Sequence, residues 1–173
     1  MPWLFLDFEA SSLSQDSYPI EVGWVFEDGS GEAALIRPVA AWTEWDDSAE
    51  AIHHISRETL RRDGQPVAAI CARLVAFSKT LTLLASAPSW DGHWLSMLLR
   101  GAGQPRHLIR LQDTEIAFTA AARAHLGPQA NDDAVAALIA KAHAVVDAQP
   151  PGHRALSDAR REWQIWKTIQ EAP

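Results

Sequence analysis

Cysteine is nearly absent. Cys71 is the single one in 173 residues, which excludes an internal disulfide, argues against a cysteine-based metal site and fits a reducing cytoplasm. Long apolar runs are missing too: none could span a bilayer, so no membrane association is expected. Met1-Pro2-Trp3 runs straight into an apolar segment with no basic stretch before it, so no signal peptide is expected. Positive charge is scarce. Fifteen Lys and Arg stand against 22 Asp and Glu, a formal net charge of −7, which does not suit a protein that coats nucleic acid non-specifically. It leaves room for an enzyme that holds a few nucleotides through metal ions. Repeats, linkers and low-complexity tracts are also lacking, so residues 1–173 read as a single domain.

What is there suits a globular α/β chain. Hydrophobic residues make up 47% and charged residues 21%, enough for one real core. The eight tryptophans are expected mostly in that core, with one or two free to face a base. Strands are predicted at 2–10, 18–28 and 31–39, with Asp28-Gly29 as the hairpin turn between the last two. Short helical pieces follow over 43–63, with Ser56 as a cap and Gly64 as a stop. Then come a helix at 66–80, a strand at 81–87, a helix at 91–103 and a fifth strand at 107–114. Helices at 114–126, 131–146 (capped by Asn131) and 155–169 complete the chain, with a loop at 148–152 before the last. An antiparallel meander followed by strands alternating with helices implies a mixed five-stranded sheet flanked by helices.

The first chemical signal is "LFLDFEASS", residues 4–12. A strand apolar on both faces belongs in the middle of a sheet, yet this one carries Asp7 and Glu9. Side chains two apart point to the same face, so the two carboxylates stand side by side. Buried like charges repel, and a divalent cation would neutralise them. Alone, the pair also suits a frayed, wet strand end. The second signal is Asp91 in "SWDGHWLSMLL", 89–99, after a strand and near a helix start; alone, it reads as an acidic cap. The third is "GHRALSDAR", 152–160, where His153 lies in a loop and Asp158 in the first turns of the last helix. Alone, that is a surface histidine and an aspartate favoured by the helix dipole. Together, four carboxylates and a histidine make an oxygen-rich site suited to Mg²⁺ or Mn²⁺. Two such ions about 3.5–4 Å apart clamp the attacking and leaving oxygens of a phosphodiester. An imidazole, which titrates near working pH, can take the proton of the attacking water.

In these segments the chain resembles the DEDDh 3′-to-5′ exonucleases, the group that includes polymerase proofreading subunits, RNase T and oligoribonuclease. "LFLDFEASSL" resembles their first motif and "IEVG", 20–23, their second strand. "IHHISRETL", 52–60, resembles the stretch after the third strand, and "WDGHWLSMLL" the second motif, with Trp90 as the aromatic before the aspartate. "LQDT", 111–114, resembles the D-T after the fifth strand, and "HRALSDA", 153–159, the third motif. The resemblance covers nearly the whole chain in order. It implies an RNase H-like fold and a metal-dependent exonuclease that removes nucleotides from the 3′ end of DNA or RNA. It implies that Asp7, Glu9, Asp91 and Asp158 hold two Mg²⁺ or Mn²⁺ ions, with Asp7 bridging them, and that His153 is the general base. Leu13 would be the wedge between the last two bases. Backbone amides near Phe8 and Ala10 would touch the terminal nucleotide, and His54 and Trp90 would line the cleft. The implied partner is a single-stranded 3′ end, and a homodimer stays open. One departure is "SAPSWD", which places Ala87 and Pro88 where the family carries polar residues that grip substrate.

Glu21 and Asp113 match positions that are usually structural, and "RETLRR", 57–62, reads as a solvated basic face. The alternative from another class is a catalytically silent module that binds nucleic acid or protein. Retention of all five charged site residues argues against it. An RNase H-like endonuclease is a third reading, disfavoured by His153 at its spacing.

Overall fold

The computed structural model describes residues 1–148 and 152–173; the middle of the loop expected at 148–152 lies outside them. β1 (Trp3–Ala10), β2 (Pro19–Phe26) and β3 (Gly31–Arg37) form the antiparallel meander. The predicted Asp28-Gly29 turn closes it: Gly29 takes φ 83°, a left-handed value that glycine adopts without strain, and Asp28 Oδ1 accepts from Ser30 N at 2.8 Å. α1 (Asp47–His53) and α2 (Arg57–Asp63) follow, with Ser56 capping α2 as predicted and Gly64 ending it. β4 (Gln65–Pro66), α3 (Val67–Ser78), β5 (Thr82–Ala85) and α4 (Pro88–Gly101) come next. They lead to β6 (Gln112–Asp113), α5 (Glu115–Leu126), α6 (Asp132–Val146, capped by Asn131) and α7 (Ala155–Gln170).

The sheet is mixed but has six strands rather than five, in the order β4-β3-β2-β1-β5-β6. The addition is β4, two residues that pair parallel to the end of β3. The strand expected over 107–114 shrinks to Gln112–Asp113, because β5 is only four residues long and offers its outer edge at Leu84 and Ala85 alone. The helix expected at 91–103 starts three residues earlier. Pro88 occupies its first turn, where a missing N–H costs nothing and a fixed φ helps.

β1 is central, as its two apolar faces demand. Leu4, Leu6 and Phe8 point into one core with Leu74, Leu95 and Leu98 from α3 and α4. Phe5 points the other way, into a second core with Phe118, Ile165 and Trp166 from α5 and α7. Asp7 and Glu9 share the face of Phe5 by strand alternation, so they continue the α7 side of the sheet. α7 can lie close because β2 carries Gly23: a Cβ there would stand 2.2 Å from Leu156 N. The glycine of "IEVG" is therefore needed for the close approach of a helix to a strand.

Candidate active site

Glu21 sets the entry angle of α7. It is 2% exposed, and its carboxylate accepts from Arg154 Nε at 3.0 Å, Arg154 Nη2 at 2.5 Å and Ala155 N at 3.1 Å. That fork pins the first turn of α7 to β2 and places His153 and Asp158 at the end of β1. Glu21 is structural, as the sequence suggested.

Single oxygens of Asp7, Glu9 and Asp158 lie within 4.8 Å of one another. The two strand residues supply one wall of this cluster and α7 the other. Asp91 stands beside it rather than in it. Its carboxylate is buried in the first turn of α4, and Oδ1 accepts from Phe8 N of β1 at 3.2 Å. His153 follows Gly152, adopts φ 48° and is exposed, with its charge close enough to lower the Asp158 pKa.

The electrostatics are those of an unneutralised acidic centre. Burial, then Asp91, Glu9 and Asp158, hold Asp7 well above the usual carboxylate range. Burial, then Asp158 and Glu21, push Glu9 up to about 7, against the opposing pull of Arg154. Burial pushes Asp91 up to about 7 despite the Phe8 N–H. Asp158 is raised by burial and partly relieved by His153. Among the described residues, no salt bridge reaches any of these four carboxylates: Arg154 is committed to Glu21, and Arg161 to Asp147 and Glu162. Converging hard oxygen donors that no salt bridge reaches can hold a hard divalent cation.

Next to the cluster is a cleft of about 170 Å³ lined by Phe8, Glu9, Ala10, Ser12, Leu13, Ala49, Ile52, His53 and Trp94. Three of the residues expected to contact substrate, Phe8, Ala10 and Leu13, line it; the Phe8 N–H itself is given to Asp91, and Leu13 is 73% exposed. The other two are not on its wall. His54 ends α1 in the left-handed conformation, φ 58°, with its side chain exposed, while the buried His53 lines the cleft. Trp90 stacks on Trp94 at 5.7 Å, and Trp94 is the ring that lines the cleft. Helix periodicity alone does not choose between neighbours such as 53 and 54; the αL cap does. Ser11 and Ser12 donate to the two oxygens of Glu44 at 2.5 Å each, which ties the end of β1 to the segment before α1. Sequence reasoning did not find Glu44 or Glu162. Glu162 is 5% exposed, four residues after Asp158 on α7, and it accepts from Thr114 Oγ1 at 3.0 Å. Its i, i+4 spacing from Asp158 was the available signal.

No protein-family model matches the chain, and no curated protein matches it. Solved structures do. Exonuclease I of E. coli in complex with a dT13 oligonucleotide superposes with a TM-score of 0.67 at 17% identity, over 98% of this chain and 41% of that one. The fold is that of exonuclease I. Apo exonuclease I gives 0.66 at 16% identity over 98% and 42%, and a product-bound exonuclease I 0.66 at 16% over 97% and 43%. The RNase H-like architecture expected from the motifs is thus present, and the chain spans about two fifths of the length of the exonuclease I chains it matches. No helix among the described residues is long and apolar enough to cross a membrane.

Proposed function

We propose that the chain is a divalent-cation-dependent 3′-to-5′ exonuclease acting on single-stranded DNA or RNA ends. The observation that carries this reading is the cluster of Asp7, Glu9 and Asp158, three carboxylates within 4.8 Å of one another that no salt bridge reaches among the described residues, beside a cleft in an exonuclease I fold. That exonuclease I has been solved with single-stranded oligonucleotides supports the choice of ligand.

Asp7, Glu9 and Asp158, with Asp91 beside them, would hold Mg²⁺ or Mn²⁺, two ions per site. Bound ions supply charge neutralisation for the attacking and leaving oxygens of a phosphodiester. The chain's own residues do the rest. Leu13 and Ile52, both exposed apolar side chains on the cleft wall, take the terminal base by apolar contact. The Phe8 N–H fixes the Asp91 carboxylate, so this acid does not swing with the substrate. His153, exposed and next to Asp158, takes the proton from the attacking water and releases it to solvent. The Glu21–Arg154 fork keeps His153 and Asp158 facing β1.

The test uses a 5′-labelled single strand with Mg²⁺, in matched DNA and RNA versions. Stepwise shortening from the 3′ end is the expected result, with a 3′-phosphate slowing it. Internal cuts, or equal digestion of a circular single strand, would indicate an endonuclease. Retention without cutting would indicate a binding module.

A further inference from the structure

We propose that Glu162 is a fifth acid of this centre, which strengthens cation binding through its charge without belonging to the Asp7–Glu9–Asp158 cluster. The inference rests on the functional reading above. Asp158 and Glu162 are one helical turn apart on the face that α7 turns toward β1. Glu162 is nearly fully buried, and a buried carboxylate is retained at a cost unless its charge is used or matched. Its match is partial. Arg161 Nη1 reaches Oε1 at 2.6 Å, but the same guanidinium also reaches Asp147, so one positive charge serves two acids. Oε2 is held by the hydroxyl of Thr114, which sits between β6 and α5. The threonine of "LQDT" thus aims this carboxylate rather than merely capping a helix. Glu162 stands close enough to Asp7 and Asp91 for its charge to repel theirs. With a cation present, the same field becomes attraction.

Glu162 acts through the cluster, so its effect must appear in cation affinity measured without substrate. Mn²⁺ binding by calorimetry or by loss of the free-ion EPR signal gives that readout. Glu162→Gln keeps the shape and the Thr114 contact, and it should weaken Mn²⁺ binding about 10-fold or more, as outer-sphere partners of metal sites do. Glu162→Gln/Arg161→Gln removes the acid together with its counter-charge, and it should recover most of that loss. Unchanged Mn²⁺ affinity in Glu162→Gln, or a loss that the double variant does not recover, would overturn the inference and leave Glu162 as a packing residue of α7. If the wild-type protein takes up no Mn²⁺ at all, the exonuclease reading itself fails, which is a different result.

Discussion

Two acids face each other across β1 and β2. Glu9, half-buried near the end of β1, pairs in register with the buried Glu21, one strand apart. Glu21 has everything such a group needs: an arginine fork and a helix N–H. Among the described residues Glu9 has no such partner, and it shares its face with Asp7, which has none either. The same residue type therefore does opposite work a few ångströms apart. At Glu21 the charge is satisfied, and it fastens α7 to the sheet. At the end of β1 the charges are unsatisfied, and they form a place for a cation. Partnership separates the structural acid from the functional one.

That contrast breaks most sharply at Asp7. Asp7→Asn should abolish nuclease turnover yet leave cation-free melting equal or higher, since it removes like-charge repulsion from a buried site. Loss of cation-free stability would make Asp7 a structural residue like Glu21. His153→Ala comes next in size. A positioned general base contributes about 10²–10⁴-fold to rate, so turnover should fall by that order with Mn²⁺ affinity intact. Asp158→Ala should lose both turnover and affinity. If both variants lose affinity alike, the proton-transfer role of His153 is wrong.

On the structural side, Arg154→Met strands the carboxylate of Glu21. Arg154 is 48% exposed, so the cost should fall between the about 1 kcal/mol of a surface pair and the about 3–5 kcal/mol of a buried one, read from denaturant unfolding. The last effect is in pH. Glu9 and Asp91, raised to about 7, keep protons that the unfolded chain gives up near its ordinary carboxylate pKa. Between those two values the native state binds more protons than the unfolded one, so cation-free stability should decline as pH rises from about 4.5 to about 7. Asp7→Asn should flatten that decline, and saturating Mg²⁺ should remove it. A wild-type stability that rises over this interval would mean the cluster is already neutralised by some other group.

Much of this was legible in the sequence. Asp7 and Glu9 stood out because strand alternation put both on one face of an apolar segment. Asp158 and Asn131 stood out because helix starts have local signatures. What was not legible depended on distant partners. Glu162 is one acid among 22 until Thr114, 48 residues away, holds it inside. Glu44 became fixed only when the serines of "EASS" folded onto it. The fifth predicted strand was cut short by the length of its neighbour, a property of β5 rather than of residues 107–114. That His53 rather than His54 is the buried one followed from a left-handed cap at His54.

The account stands on the claim that the partnerless acids of β1 hold a divalent cation and the partnered acid of β2 does not. Thermal melting of wild type, Asp7→Asn and Glu21→Gln, each with and without Mn²⁺, tests this most directly. The account predicts that Mn²⁺ raises the melting temperature of wild type and of Glu21→Gln by similar amounts, while Asp7→Asn gains little. An Asp7→Asn protein that Mn²⁺ stabilises as fully as wild type would contradict it.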